Sequence, residues 1–110
     1  MNNHSSDEKN RKLADLYKCF ADETRIKILR QLFEEGEVSV GLLASSLGMS
    51  DSAISHQLRY LRQMRLVSLR KDGKYHHYRL NDNHIHQMIL QGLEHIDDIK
   101  ADLEEALKNL

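Results

Sequence analysis

The chain of 110 residues contains no proline, no tryptophan and a single cysteine, and its aromatic rings besides histidine are four tyrosines and two phenylalanines. Each scarcity narrows the options. Without proline, nothing in the chain forces a helix to kink or stop, so long helices are allowed. Cys19 has no partner for an intrachain disulfide, which fits a reducing cytoplasm. No apolar run approaches the roughly 18 residues that a spanning helix needs, so no membrane partner is expected. The opening "MNNHSSDEKNRK" lacks the apolar centre of a signal peptide, and residues 1–8 are expected to be disordered.

Net charge is also scarce, at −1 overall, but its distribution is uneven. Residues 1–49 hold seven basic and eight acidic side chains, and residues 80–110 hold two basic and seven acidic. Residues 50–79 hold seven basic side chains against Asp51 and Asp72, a local +5. That block has the footprint of a polyanion-binding surface, although a solvated charged face would look the same on charge alone. An apolar content of 40% suits one folded domain over 1–110. A core of this size is marginal by itself, so a subunit interface would help.

Periodicity divides the chain into helices and one hairpin. Leu13, Leu16, Tyr17 and Phe20 recur at helical spacing over 8–20. Asp22 can cap a second helix with the stripe Ile26, Leu29, Leu32 and Phe33, which Gly36 ends. A short third helix starts at or just after Ser39 and stops at Gly48. Ser50 caps a fourth, with Ile54, Leu58 and Leu61 facing inward. From Leu66 the period becomes two, and "LVSLRKDGKYHHYRL" reads as two strands around Asp72-Gly73, the type I′ hairpin signal. A last helix covers 83–108 with an apolar series at Ile85, Ile89, Leu93, Ile96, Ile99, Leu103 and Leu107. That series is long for a terminal helix. With the first helix it suggests a homodimer surface, or else both helices cover a monomer core.

The two helices within 40–63 read as helix-turn-helix. Ala44 is small where they cross, Gly48 takes the left-handed turn, and Ile54 fills the angle between them. The hairpin at 66–80 adds a wing. The predicted class is therefore mainly α with a β-hairpin wing, a winged helix-turn-helix. Its fourth helix would enter the major groove of double-stranded operator DNA by its N-terminal half. Ser50, Ser52, Ser55 and His56 suit base edges or phosphates. Arg59 and Arg62 suit phosphates, and the wing's Arg70, Lys71 and Lys74 suit phosphates or the minor groove. Asp51 reads as first-turn helix charge. His56 serves equally as a local hydrogen-bonding group.

"FADETRIKIL", "SDSAISHQLRYLRQMRLV" and "KDGKYHHYRL" together resemble the ArsR/SmtB family of bacterial metal-sensing repressors over roughly residues 12–107. The resemblance implies a winged-helix dimer built from the first and last helices, which represses as the apo form and releases DNA on binding its inducer. It also implies several places for a sensor site. The cysteine-containing site of the third helix is absent, because "EVSVGLLA" at Glu37–Ala44 has no cysteine. The last-helix pattern, Asp-x-His, ten residues, then His-x-x-His or His-x-x-Glu, is matched by Asp82, His84 and His95. Asp98 stands in place of the longer Glu.

Geometry favours two half-sites. Eleven residues are about three turns, so His84 and His95 share a face yet lie about 16 Å apart. Zinc–nitrogen bonds of about 2 Å cannot bridge that gap. Two antiparallel helices across a two-fold axis would bring His95 and Asp98 of each copy to Asp82 and His84 of the other. Asp82, about 200° around the helix from His84, must act from the cap before regular helix begins. Two nitrogens and two carboxylates suit Zn(II), with Co(II) a plausible substitute. Ni(II) would want further ligands, for which His4 is a candidate. A non-metal signal is the alternative. His86 reads as a surface residue, and His76 and His77 point to opposite faces of a wing strand. Asp82 serves equally as an N-cap, and Asp98 sits in an acidic run. His95 could donate its second ring N–H to a carbonyl around Met64 to Leu66, linking metal to reading helix. An enzyme is not expected: no Glu stands as a base beside a His pair, four protein ligands leave no open position, and no small organic substrate is implied.

Overall fold

The computed structural model describes the backbone of residues 3–110 and the side-chain surroundings of residues 5–110. Chain order is α1 (Asn3–Lys18), α2 (Glu23–Glu35), β1 (Glu37–Ser39), α3 (Val40–Leu47), α4 (Asp51–Gln63), β2 (Val67–Asp72), β3 (Tyr75–Leu80) and α5 (Asn83–Lys108). The mainly α winged helix-turn-helix stands as expected, with three corrections.

α1 begins at Asn3, inside the segment expected to be disordered. No Gly or Pro interrupts those residues, and an i,i+4 pair between Glu8 and Lys12 at 3.1 Å supports the helix. The second correction is an added strand. Glu37–Ser39, read as the approach to a helix, forms β1 and pairs antiparallel with β3 in the order β1-β3-β2. Three residues are too few to display a period of two, and the partner strand lies about forty positions away. The third concerns the hairpin turn. Asp72 pairs with Tyr75, so the loop is Gly73-Lys74, and of these only Gly73 has positive φ, at 59°. Glycine at the first central position is the type II′ pattern, not the type I′ expected from Asp-Gly.

Helix boundaries follow their caps. Asp22 accepts the Arg25 N–H, Ser39 the Leu42 N–H, and Ser50 the Ala53 N–H. Gly48 ends α3 in the left-handed region at φ 64°, where a Cβ would be strained. The core gathers Ile28, Leu29 and Leu32 of α2, Leu43 and Ala44 of α3, and Ile54, Leu58 and Leu61 of α4. Val38, Leu66, Val67 and Tyr78 close it from the sheet side, and Ile85 and Ile89 from α5. The inward face expected for α4 is therefore correct, and full burial of each such side chain is worth about 1.5–3 kcal/mol.

Beyond Leu93, which still packs against the core, the apolar stripe of α5 becomes exposed. Ile96, Ile99, Leu103 and Leu107 are exposed, Leu103 to 61%, and on α1 so are Leu13 and Tyr17. A contiguous exposed stripe of this kind marks an interaction surface. No helix among the described residues is long and apolar enough to cross a membrane.

Candidate nucleic-acid interface and metal half-sites

The face expected to read DNA is α4 and the turn before it. After Gly48, the Met49 N–H returns to the Ala44 carbonyl at 3.0 Å, which closes α3 and sets the angle to α4. Ser52, His56, Arg59 and Arg62 are exposed on α4, and Ser55 is half-buried. Ser50 is exposed too, but its hydroxyl oxygen accepts from Ala53 N–H at 3.0 Å, so it is engaged as the cap.

One flank of α4 is anchored by residues that periodicity did not single out. Arg25 donates from Nε to the Cys19 carbonyl at 3.1 Å and from Nη2 to the Lys18 carbonyl at 2.8 Å. A cation there satisfies carbonyls at the end of α1. The same guanidinium lies 4.9 Å from the ring centroid of Tyr60 on α4. The Tyr60 hydroxyl is 3.7 Å from Cys19 Sγ, and this contact, with burial, raises the phenol above its ordinary pKa. Arg25, His56, Arg59 and Tyr60 border a shallow cavity of ≈ 360 Å³ on this flank. The signal available in sequence was only a cation in the first turn of α2, which reads equally as part of that helix's polar side.

On the wing, Lys71 and Lys74 are exposed, and Lys74 Nζ lies 5.5 Å from the Tyr75 ring centroid. Arg70 is exposed but engaged: its Nε donates to Glu37 Oε1 on β1. Glu37 therefore offsets one of the wing's positive charges.

Asp82 is in extended conformation just before α5, as its expected role requires. Its Oδ1 accepts the His84 N–H at 2.9 Å and the Ile85 N–H at 3.3 Å, and lies 3.4 Å from His84 Nδ1. Its Oδ2 accepts from the Asn81 side-chain amide at 3.0 Å. That hydrogen bond is the main cause holding the carboxyl below its ordinary pKa, and the two backbone donors add to it against some desolvation. Asp82 is thus both an N-cap and the neighbour of His84, so the two readings of it coexist. His95 and Asp98 are exposed, six and nine residues past Ile89, the last buried residue of α5. Among the described residues, no three or more His, Cys, Asp or Glu side chains of one chain gather to hold a cation. His84 and His95 are not brought together within one copy. The side chain of His4 lies outside the described residues.

His86 is not the surface residue expected. It is half-buried, its ring 4.5 Å from Phe33, and its Nδ1 is buried without a partner among the described residues. His76 is exposed and His77 half-buried, on opposite faces of β3.

Asn81 makes a set of contacts that the sequence reading missed. Its backbone N–H donates to the Leu66 carbonyl at 2.9 Å, one of the acceptors expected for His95. Its side-chain oxygen accepts from Ser68 Oγ at 2.7 Å. In the sequence it is only the first residue of "NDNH", a stretch that reads as turn and cap.

Comparisons with known proteins match this geometry. The family model "Bacterial regulatory protein, arsR family" matches residues 22–68, from the α2 cap into β2, and so leaves α5 outside the match. A transcriptional repressor SmtB homolog of Synechocystis sp. is 35% identical over 86 residues, 78% of this chain and 64% of that protein, so the chain spans less than two thirds of that relative. A cadmium resistance transcriptional regulatory protein CadC homolog of Staphylococcus aureus is 35% identical over 89 residues, 81% of this chain and 74% of that one. The solution structure of a homodimeric winged helix-turn-helix DNA-binding domain from Mycobacterium bovis superposes with a TM-score of 0.77 at 25% identity, covering 83% of each chain. The first two relatives are transcriptional regulators and the third is a DNA-binding domain, and the chain belongs to the ArsR family of bacterial regulatory proteins.

Proposed function

We propose that this protein is a cytoplasmic transcriptional repressor that binds operator DNA as a homodimer and releases it in response to a divalent metal, Zn(II) first and Co(II) second. The observation that carries the metal part is the pairing at the start of α5: Asp82 Oδ1 sits 3.4 Å from His84 Nδ1, and His84 is almost fully exposed. The donor chemistry of Asp82 and His84 with His95 and Asp98 of a second copy, two imidazoles and two carboxylates, fits such a cation.

Dimerisation rests on the exposed stripe of α5 and the exposed apolar residues of α1. The bound metal would supply a cross-link between the two α5 helices. Everything else is done by side chains of this chain. Ser52, Ser55 and His56 would read base edges from α4, with Ser50 holding the helix start. Arg59, Arg62, Lys71 and Lys74 would hold phosphates, and Arg70 would do so once it leaves Glu37.

The test is a fluorescence-anisotropy titration of operator binding against free Zn(II), with His84→Ala beside the wild type. Operator release by the wild type at low zinc, and none by the variant with its metal-free DNA binding kept, is the expected result. Equal release by both would refute the metal site.

A further inference from the structure

Asn81 joins three parts of the molecule with its own three polar groups. The backbone N–H holds the Leu66 carbonyl at 2.9 Å, and the Leu66 N–H in turn holds the Leu61 carbonyl of α4 at 2.9 Å. The side-chain oxygen holds Ser68 of β2 at 2.7 Å, and the side-chain NH2 holds Asp82 Oδ2 at 3.0 Å. The end of the reading helix, the base of the wing and the α5 cap therefore meet at one residue.

The polarity of this chain of bonds is fixed by chemistry. An ionised carboxylate only accepts, so the Asn81 amide must present NH2 to Asp82 and oxygen to Ser68. Ser68 must then donate. Turning the amide over would set its oxygen against a carboxylate oxygen. The Ser68 bond is partly buried, where a broken hydrogen bond costs more than at the surface. Arg70 lies two residues after Ser68, on the same face of β2.

We propose that Asn81 is a positioning residue, the joint through which the state of the Asp82 carboxylate sets the placement of the wing and of the end of α4. The inference rests on the metal reading of Asp82. A bound cation would draw on the same Asp82 carboxylate that accepts the Asn81 amide, so occupancy of the half-site bears on the amide. A shift of the amide pulls on Ser68 through its side chain and on Leu66 through its backbone. Each side of the joint is a direct hydrogen bond, so no intervening packing has to transmit the change.

The test uses the full-length dimer, Zn(II) as the metal, and a duplex selected by the metal-free protein from a random-sequence pool. Zinc and DNA affinities, and the factor by which each changes the other, are measured for wild type, Asn81→Ala, Ser68→Ala and the double variant. Coupling between sites is typically about 5- to 150-fold, and losing an intermediary residue typically cuts it by about 2- to 30-fold. Ser68→Ala is expected to cut the coupling by that amount while both separate affinities hold. Asn81→Ala is expected to cut it as well and also to change zinc affinity, because Asp82 loses a donor. The double variant is expected to lose no more coupling than the worse single one. Ser68→Ala leaves the α5 cap intact, so a folding defect at Asn81 does not decide the result. In the metal-free protein, Ser68→Ala is expected to move the NMR resonances of the Asn81 side-chain amide. Wild-type coupling in both single variants, or an unmoved amide resonance, overturns the joint. Zinc-insensitive DNA binding by the wild type contradicts the metal reading instead, and the metal-free NMR measurement tells the two failures apart.

Discussion

Arg70 on β2 reaches across β3 to Glu37 on β1, with Nε donating to Oε1. A cation counted toward DNA binding is thus held by an acid of the same sheet. Exposed pairs of this kind are worth about 0.2–1 kcal/mol, so a phosphate can win Arg70 away at small cost. Glu37→Gln removes the competitor. Metal-free DNA binding is expected to tighten by about 1.4- to 5-fold, which is that pair energy converted to affinity. Binding measured across a range of salt concentrations checks it, and unchanged affinity would mean that Arg70 does not face the duplex.

The exposed half of α5 is expected to be the dimer seam. Leu103→Glu puts a charge in the stripe far from the core and from every proposed DNA contact. Sedimentation should show a folded monomer whose helix content is nearly intact. DNA affinity should fall with the loss of the second reading head. A variant that remains dimeric would place the seam elsewhere.

Arg65 is the one non-glycine residue with positive φ among the described residues, at 61°. It ends α4 where the Leu66 N–H returns to the Leu61 carbonyl, a position that glycine ordinarily takes. The left-handed region costs a side chain roughly 1–2 kcal/mol. Arg65→Gly is expected to raise stability by about 0.5–1 kcal/mol once the added freedom of the unfolded chain is set against it. Urea unfolding of the metal-free protein measures this, and a loss of stability would show that the Arg65 side chain makes an offsetting contact.

Acid should loosen the start of α5. The Asp82 carboxyl is held below its ordinary value of 3.8, chiefly by the Asn81 amide. A depressed folded value means that the ionised form favours the native state. This contribution is complete above pH 3.8 and is lost as pH falls through the lower folded value. The His84 and Ile85 amide resonances, whose N–H groups the carboxylate holds, should move together with a midpoint below 3.8. A midpoint above it would contradict the cap.

Much of this architecture is legible in the sequence because its signals are local. The period of α4 identifies Ile54, Leu58 and Leu61, and all three are fully buried. Ser50 and Asp82 are caps where cap residues are expected, and α5 runs over 83–108 as its periodicity indicates. What escaped notice depends on distant partners. β1 exists because β3 offers it an edge, and Val38 alone could not announce it. Ile28 is fully buried although the stripe drawn through Ile26 and Leu29 passed it by, since α2 buries a wider face. The contacts of Asn81 are invisible in "NDNH" because its acceptor and donor, Leu66 and Ser68, come from the facing side of the hairpin, distant in sequence. The pairing of Asp82 and His84 follows from the family pattern that the sequence resembles, whereas the proposed closure of the site needs a second copy that no single sequence displays.

The most direct measurement follows duplex binding by anisotropy as free Zn(II) is raised, for the wild type and for His84→Ala. Coupling of the usual size, about 1–3 kcal/mol, would weaken wild-type DNA binding by about 5- to 150-fold. The variant should bind DNA as the metal-free wild type does at every zinc concentration. Release that is as large in His84→Ala as in the wild type would place the sensor away from α5.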